Sequence, residues 1–281
     1  MARQSKRGLH ARDPESGVGL TSFNKFAAGI NWKEVFAEAR VSRPIYYTLS
    51  GSHLYGFNSK NSDIDIRGCH AEEIRAFAGL AGYHEVRELS RKELDFSSFD
   101  IKKEISLIMA NNSNVLEHLS DSAVPVYKSK HYTALKKLAH SSISKLVAKP
   151  YWGMAQFNLH KYLRRFNEAY REAPTKKYLY VLRAYMAGIY VLEKGRIEPN
   201  IAKLNRMALF QLPIVDELVE IKRKGLEKDS LPVRKVNAAE EAVTFLAKRF
   251  AQAESETRLP NAPTTYEEAN NLLLEIRLGH A

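Results

Sequence analysis

A chain of 281 residues, 44% hydrophobic and 27% charged, has the make-up of a folded protein and length for one large domain or two small ones. Its net charge of +11 favours an anionic partner, and a single cysteine, Cys69, excludes an internal disulfide framework and fits a reducing compartment. The apolar run "VLRAYMAGIYVL" is too short to span a bilayer and is interrupted by Arg183, and the basic start lacks the apolar centre of a signal peptide. The expectation is a cytoplasmic protein with a flexible basic arm over residues 1–20.

In chain order, "NWKEVFAEAR" (31–40) predicts a short helix capped by Asn31 with Glu34 three positions on, and with Trp32, Val35, Phe36 and Ala39 as its apolar face. "PIYYTL" (44–49) predicts a strand that stops at Ser50-Gly51-Ser52. "DIDIRG" alternates, with Ile64 and Ile66 on one face and Asp63 and Asp65 on the other. A third strand is expected at "ELDFSSF" (93–99), then a helix over 100–119, broken or restarted at "NNSN". From about 128 the pattern turns helical. One helix runs through "SKHYTALKKLAHSSISKLVAK" and ends at Pro150, a second through "GMAQFNLHKYLRRFNEAY", and a third from Pro174 to Gly195. Later helices are expected near 214–226, 237–256 and 265–278, the last with Thr265 and Glu268 as a capping box and Gly279 as its stop. The fold class is α+β: a small mixed-sheet domain over 21–127, then a helical domain over 128–281.

Residues 50–68, "SGSHLYGFNSKNSDIDIRG", place a tight turn ahead of two carboxylates. On a strand, Asp63 and Asp65 project from one face, about 6–7 Å apart. Such a pair repels itself, and a divalent metal relieves the repulsion. Mg²⁺ or Mn²⁺ takes hard oxygen ligands, and Mg²⁺ completes its shell with water and substrate phosphates. Gly51 lets the backbone approach a ligand closely, a strand-to-helix turn offers N–H groups to anions, and Ser52 adds a hydroxyl. Together these predict a metal-and-triphosphate site. Arg67 shares the aspartate face and either pairs with Asp65 or reaches phosphate. His53 is either a nucleotide contact or a helix-face residue.

Strand, Gly-Ser, short helix and Asp-x-Asp resemble the signature of the DNA polymerase β nucleotidyltransferase superfamily. The longer string resembles the branch found with RNA-repair ligases, as do "LDFSSFDIKKEISLIMANNSNVLEHL" and "KKYLYVLRAY". The resemblance covers roughly residues 43–195. It departs at Asn112-Ser113-Asn114, where the family usually carries Asn-Pro-Asn. It implies a polymerase β-like palm and a third metal-binding carboxylate on an adjacent strand, at the position of Asp95. From the residues alone Glu93, Asp95 and Asp100 all qualify, Asp100 being better suited to cap the next helix. It also implies that Asp63, Asp65 and Asp95 hold two ions about 3.5–4 Å apart around an α-phosphate. Ser52 and the backbone at 51–53 would cradle the outer phosphates, with Lys177 and Arg183 of the second domain clamping the triphosphate.

Between 128 and 209, seventeen Lys and Arg stand against four Asp and Glu, a balance of +13. Lys161, Arg164 and Arg165 share a polar side, and Lys176, Tyr180 and Arg183 fall on one helix face. Cations interleaved with Tyr, Phe and Trp suit a polynucleotide, above all a single-stranded RNA end. The expected reaction is therefore metal-dependent nucleotidyl transfer to RNA, at a tRNA or tRNA-like 3′ end, beside an RNA ligase or other repair partner. The competing readings are adenylylation of a protein hydroxyl, transfer to a small molecule, and a non-catalytic RNA-binding partner of a ligase or nuclease.

Overall fold

The structure is a computed structural model and describes residues 30–80, 82–92, 94–164, 175–226 and 231–279, with the Arg164 side chain excepted. The expected arm, Glu93, Arg165 and Pro174 lie outside the described residues.

Helix α1 (Trp32–Glu38) begins where Asn31 accepts the Glu34 N–H at 3.4 Å. Strand β1 (Pro44–Leu49) leads through Ser50 into α2 (Gly51–Tyr55), and β2 (Ile64–His70) returns beside it. Helix α3 (Ile74–Ala78) and strand β3 (Val86–Arg91) then carry the chain to β4 (Leu94–Asp100). Helices α4 (Ile101–Met109) and α5 (Ser113–His118) and strand β5 (Pro125–Lys128) complete this half. The strands lie in the order β3-β4-β2-β1-β5, with β2 and β4 parallel and the remaining pairs antiparallel. This is a mixed sheet and the architecture is α+β.

One face of the sheet packs Ile66, Phe96, Tyr47 and Leu49 against Val35 of α1 and Ala39 at its C-cap. Phe36 closes that layer against the Tyr47 ring at 5.1 Å and the Tyr127 ring at 5.3 Å. The opposite face carries Asp65, Arg67 and Cys69 from β2 beside Asp95, Ser97 and Phe99 from β4, in register. Over Ile64–Arg67 and Leu94–Ser97, period-two alternation sends the apolar residues to one side and the polar ones to the other.

The rest of the chain forms α6 (Tyr132–Ser141), α7 (Ala148–Asn158), a π-helical turn (Leu159–Arg164) and α8 (Thr175–Lys194). After these come α9 (Ile201–Arg206), α10 (Pro213–Arg223), α11 (Val233–Glu256) and α12 (Tyr266–Leu278). Fourteen of the twenty residues of α8 are buried, so it is a central helix rather than a basic surface helix. One buried cluster runs from Tyr46, Leu54 and Ile105 through Leu182 and Met186 to Leu246 and Ile276. The change near residue 128 is therefore one of secondary structure, while a single main core crosses it. Helix α12 returns to the sheet half, where Arg277 donates to both oxygens of Asp100 at 2.6 and 3.0 Å.

Two helix expectations are corrected. The segment read as one helix ending at Pro150 breaks after Ser141 and restarts, with Pro150 in the first turn of α7, where a missing N–H costs nothing. The break is held by Asn111, whose amide donates to Ser142 O at 2.8 Å and accepts from Ser144 N at 2.7 Å. Thr265 does not cap α12, because its hydroxyl bonds Ser142 Oγ at 2.6 Å instead. At the family's Asn-Pro-Asn position, Asn112 caps α5 and Ser113 takes the first helical place, which proline also favours.

Candidate active site

The turn after β1 rests on Asp65. Ser50 N–H donates to Asp65 O at 2.8 Å, and Gly51, at φ +60°, lies so close that a Cβ there would sit 2.0 Å from Asp65 Oδ2. Only glycine combines that dihedral with that approach. Gly51→Ala is accordingly expected to cost about 1–2 kcal/mol in backbone strain alone and to push Asp65 from its place. A thermal melt and an activity assay check this, and a variant as stable and active as wild type would remove the argument.

Asp65 and Asp95 are register partners across β2 and β4. Arg67 joins them: Nη2 lies 2.7 Å from Asp95 Oδ2 and 3.3 Å from Asp65 Oδ1, and Nη1 donates to Asp95 O at 2.7 Å. Of the two readings of Arg67, the structure shows the ion pair, and that pair relieves the carboxylate repulsion without a metal. Burial raises the Asp65 carboxyl above its ordinary range; Arg67 opposes the shift, and Asp95 and Asp63 add to it. Asp63 lies exposed just before β2.

Among the described residues no group of three or more His, Cys, Asp or Glu is gathered for a metal ion. The donor chemistry suits a hard divalent cation, and the space a Gly51 side chain would need is taken by the Asp65 carboxylate. Between Asp65 and Asp95 lies the Arg67 guanidinium. Asp100 belongs elsewhere. It caps α4 at Lys102 N, and Arg277, the N–H groups of Glu72 and Lys102 and the Tyr83 hydroxyl hold its carboxyl low against the effect of burial.

Ser52 closes α2 through its carbonyl, which accepts from Gly56 and Phe57. His53, within α2, meets the backbone of Ser62 in the following loop; burial lowers its pKa, and Ser62 and then Asp65 oppose that. No sequence signal marks His118, whose Nε2 meets Ser50 Oγ at 2.8 Å and whose burial drives its pKa down to about 3, keeping it neutral. None marks Lys222 and Arg223 either. These bond Ser59 Oγ at 3.4 Å and Gly56 O at 3.1 Å, so the end of α10 braces the loop between turn and carboxylates.

Arg183 requires a correction. It is fully buried, paired with Glu117 at 2.6 Å, and its guanidinium stacks 3.7 Å from the Tyr55 ring centre. It does not reach the cleft as a triphosphate clamp. Tyr180 forms cleft wall, edge-on to Phe57 at 5.6 Å. Lys176 stays exposed with its Nζ 6.0 Å from the Tyr180 ring centre, so those two keep the expected common face while Arg183 turns into the core. Lys177 sits 3.6 Å over the Tyr162 ring, and Lys161 lies 4.9 Å from Phe157 and 5.2 Å from Tyr162.

A cleft of about 490 Å³ runs from Gly51, Asp65 and Arg67 past Ser97 and Phe99 to Glu104 and Asn114. A larger cavity, about 600 Å³, opens between the ends of α8 and α11 and shares no residue with it. Its walls carry the Glu193–Arg249 ion pair and none of the motif residues, so the smaller cleft is the candidate site.

The chain is 32% identical over 194 residues to Uncharacterized protein MJ0002 of Methanocaldococcus jannaschii, covering 67% of this chain and 75% of that one. It is 29% identical over 238 residues to Uncharacterized protein YcgL of Bacillus subtilis, covering 82% and 88%. A nucleotidyltransferase-like protein from Exiguobacterium sibiricum shares 13% identity at a TM-score of 0.29, over 87% of this chain and 77% of the other. The model of the RNA repair pathway DNA polymerase beta family, RlaP, matches residues 28–275. With that match spanning nearly its whole length, the chain belongs to the RNA repair pathway DNA polymerase beta family.

Proposed function

We propose that this protein transfers a nucleoside monophosphate from a nucleoside triphosphate to a hydroxyl at an RNA 3′ end, of tRNA or a tRNA-like fragment, with Mg²⁺ or Mn²⁺ as cofactor. The observation that carries this reading is the register of Asp65 with Asp95 beside the Gly51 turn. Asp63, Asp65 and Asp95 are the residues that would hold the ions. The chemistry such ions supply is a more acidic acceptor hydroxyl and charge stabilisation of leaving pyrophosphate. The protein's own part is positioning. Arg67 holds two carboxylates together and lines the cleft, and its planar fork suits phosphate as well as carboxylate.

The RNA reading draws on the family's description and on the basic stretch over 128–209. Lys161 and Lys177 gather on Tyr162 beside Phe157, which is 55% exposed, and this combines cations with stacking surface. Arg164, Arg165 and Lys176 fall in the same segment.

The test is incubation with each of four α-labelled nucleoside triphosphates, Mg²⁺ or Mn²⁺ and total tRNA, beside Asp63→Ala and an RNA-free control. Label should enter RNA and be lost in the variant. Label on protein alone would replace RNA by a protein hydroxyl as acceptor. No label, with tRNA binding that weakens steeply as salt rises, would mark a non-catalytic RNA-binding protein instead.

A further inference from the structure

Beyond the carboxylates, the cleft continues between the polar face of the sheet and α4. Ser97, Phe99, Glu104 and Leu107 line this end. Phe99 and Leu107 are partly buried and supply apolar walls, and Glu104 is 1% exposed. The Tyr46 hydroxyl donates to Glu104 Oε1. Among the described residues no cation pairs with Glu104. The adjacent Lys103 turns instead to Glu85 at 3.5 Å and to the Phe99 ring at 5.2 Å.

A carboxyl buried without a cation keeps its proton. Burial accordingly pushes Glu104 up to about 8, with the Tyr46 hydrogen bond opposing. The other titratable groups around it are Tyr46 and Tyr47 on β1 and Cys69 on β2, all raised by burial and so uncharged at neutral pH, and Lys103, which lines the same end of the cleft. Oε1 is engaged as an acceptor by Tyr46, which leaves the second oxygen of the neutral carboxyl as a hydroxyl donor. A donor set between apolar walls recognises a flat ring that presents an acceptor nitrogen. On the base-pairing edge adenine offers one at N1 and cytosine at N3, whereas guanine N1 and uracil N3 carry hydrogens there.

We propose that the inner end of this cleft receives the base of the nucleoside triphosphate, and that Glu104 donates to its ring nitrogen, selecting adenine or cytosine over guanine or uracil. This rests on the nucleotidyl-transfer reading above. About 490 Å³ is room for a nucleoside, with the phosphates left at the Gly51 end.

The test is direct binding of the four nucleoside triphosphates, without RNA, to wild type, Glu104→Gln and Glu104→Leu at pH 7 and pH 9. Wild type at pH 7 should favour ATP or CTP by about 10-fold or more over GTP and UTP, and the tighter of the two names the base. Glu104→Gln, neutral with one donor and one acceptor, should keep the preference at both pH values. Wild type should lose it at pH 9, when ionised Glu104 can only accept, and Glu104→Leu should lack it throughout. Equal affinity for all four in wild type, or a preference that survives Glu104→Leu, would overturn the assignment. Selective binding without transfer to any acceptor would leave this pocket standing and remove the proposed reaction. Absence of all nucleotide binding would remove both.

Discussion

Asp65→Asn is expected to lower nucleotidyl transfer by about 10³-fold or more while leaving the fold in place. At neutral pH the variant should melt at or above the wild-type temperature. The sign follows from burial, which raises the folded-state pKa of Asp65 above its unfolded value. A carboxyl shifted upward favours the folded state at low pH and loses that contribution as pH rises through its folded pKa. The wild-type protein thus carries the cost of a partly buried charge at pH 7, and asparagine does not. As pH falls through the folded-state pKa of Asp65 the two side chains become alike in charge and the difference should shrink. Arg67 keeps its contacts with Asp95 in the variant, so no buried cation is orphaned. Activity assays paired with melts at pH 7 and pH 4 check this, and an inactive variant that melts far below wild type at pH 7 would give Asp65 a structural role instead. Asp63, exposed ahead of β2, offers no such gain in stability, although its metal-binding role is equally at issue.

The sheet half was legible where short-range rules govern. The Asn31 cap, the bounds of β1, the alternation in "DIDIRG" and the glycine at residue 51 are each set by a few neighbouring residues. Asp95 could be placed from the sequence only through family resemblance; its partnership with Asp65 is a matter of sheet register, which joins residues thirty positions apart. Strand β3, "VRELSR", was missed because as an edge strand it buries little and reads as a polar loop. The four residues of β5 give too short a run to show a period. Pro150 signals a helix end or a helix start with equal force, and the choice fell to Asn111, which holds the break from outside the segment. Glu104 and His118 look like ordinary helix residues in "KKEISL" and "VLEHL". Tyr46 and Ser50, which give them meaning, lie on the first strand and the turn after it.

Arg183 shows the same gap most sharply, and its replacement should separate the two roles. In the sequence it is one cation on a basic helix; in the structure it is a fully buried ion pair with Glu117, 66 residues away. Arg183→Ala should destabilise the protein by about 3–5 kcal/mol, because Glu117 would be left in the core without its cation. The loss falls where three parts of the structure meet: α8 carries Arg183, α5 carries Glu117, and Tyr55 of α2 lies under the guanidinium. The next residue of α5, His118, holds Ser50, so the same pair supports the turn that rests on Asp65. Removing both charges should be milder: Arg183→Met with Glu117→Gln should recover most of the stability, since a buried pair repays little beyond its own desolvation. Urea unfolding of the two variants against wild type measures both. A triphosphate clamp would behave in the opposite way, with Arg183→Ala folding normally and losing nucleotide affinity, and that result would return Arg183 to the cleft.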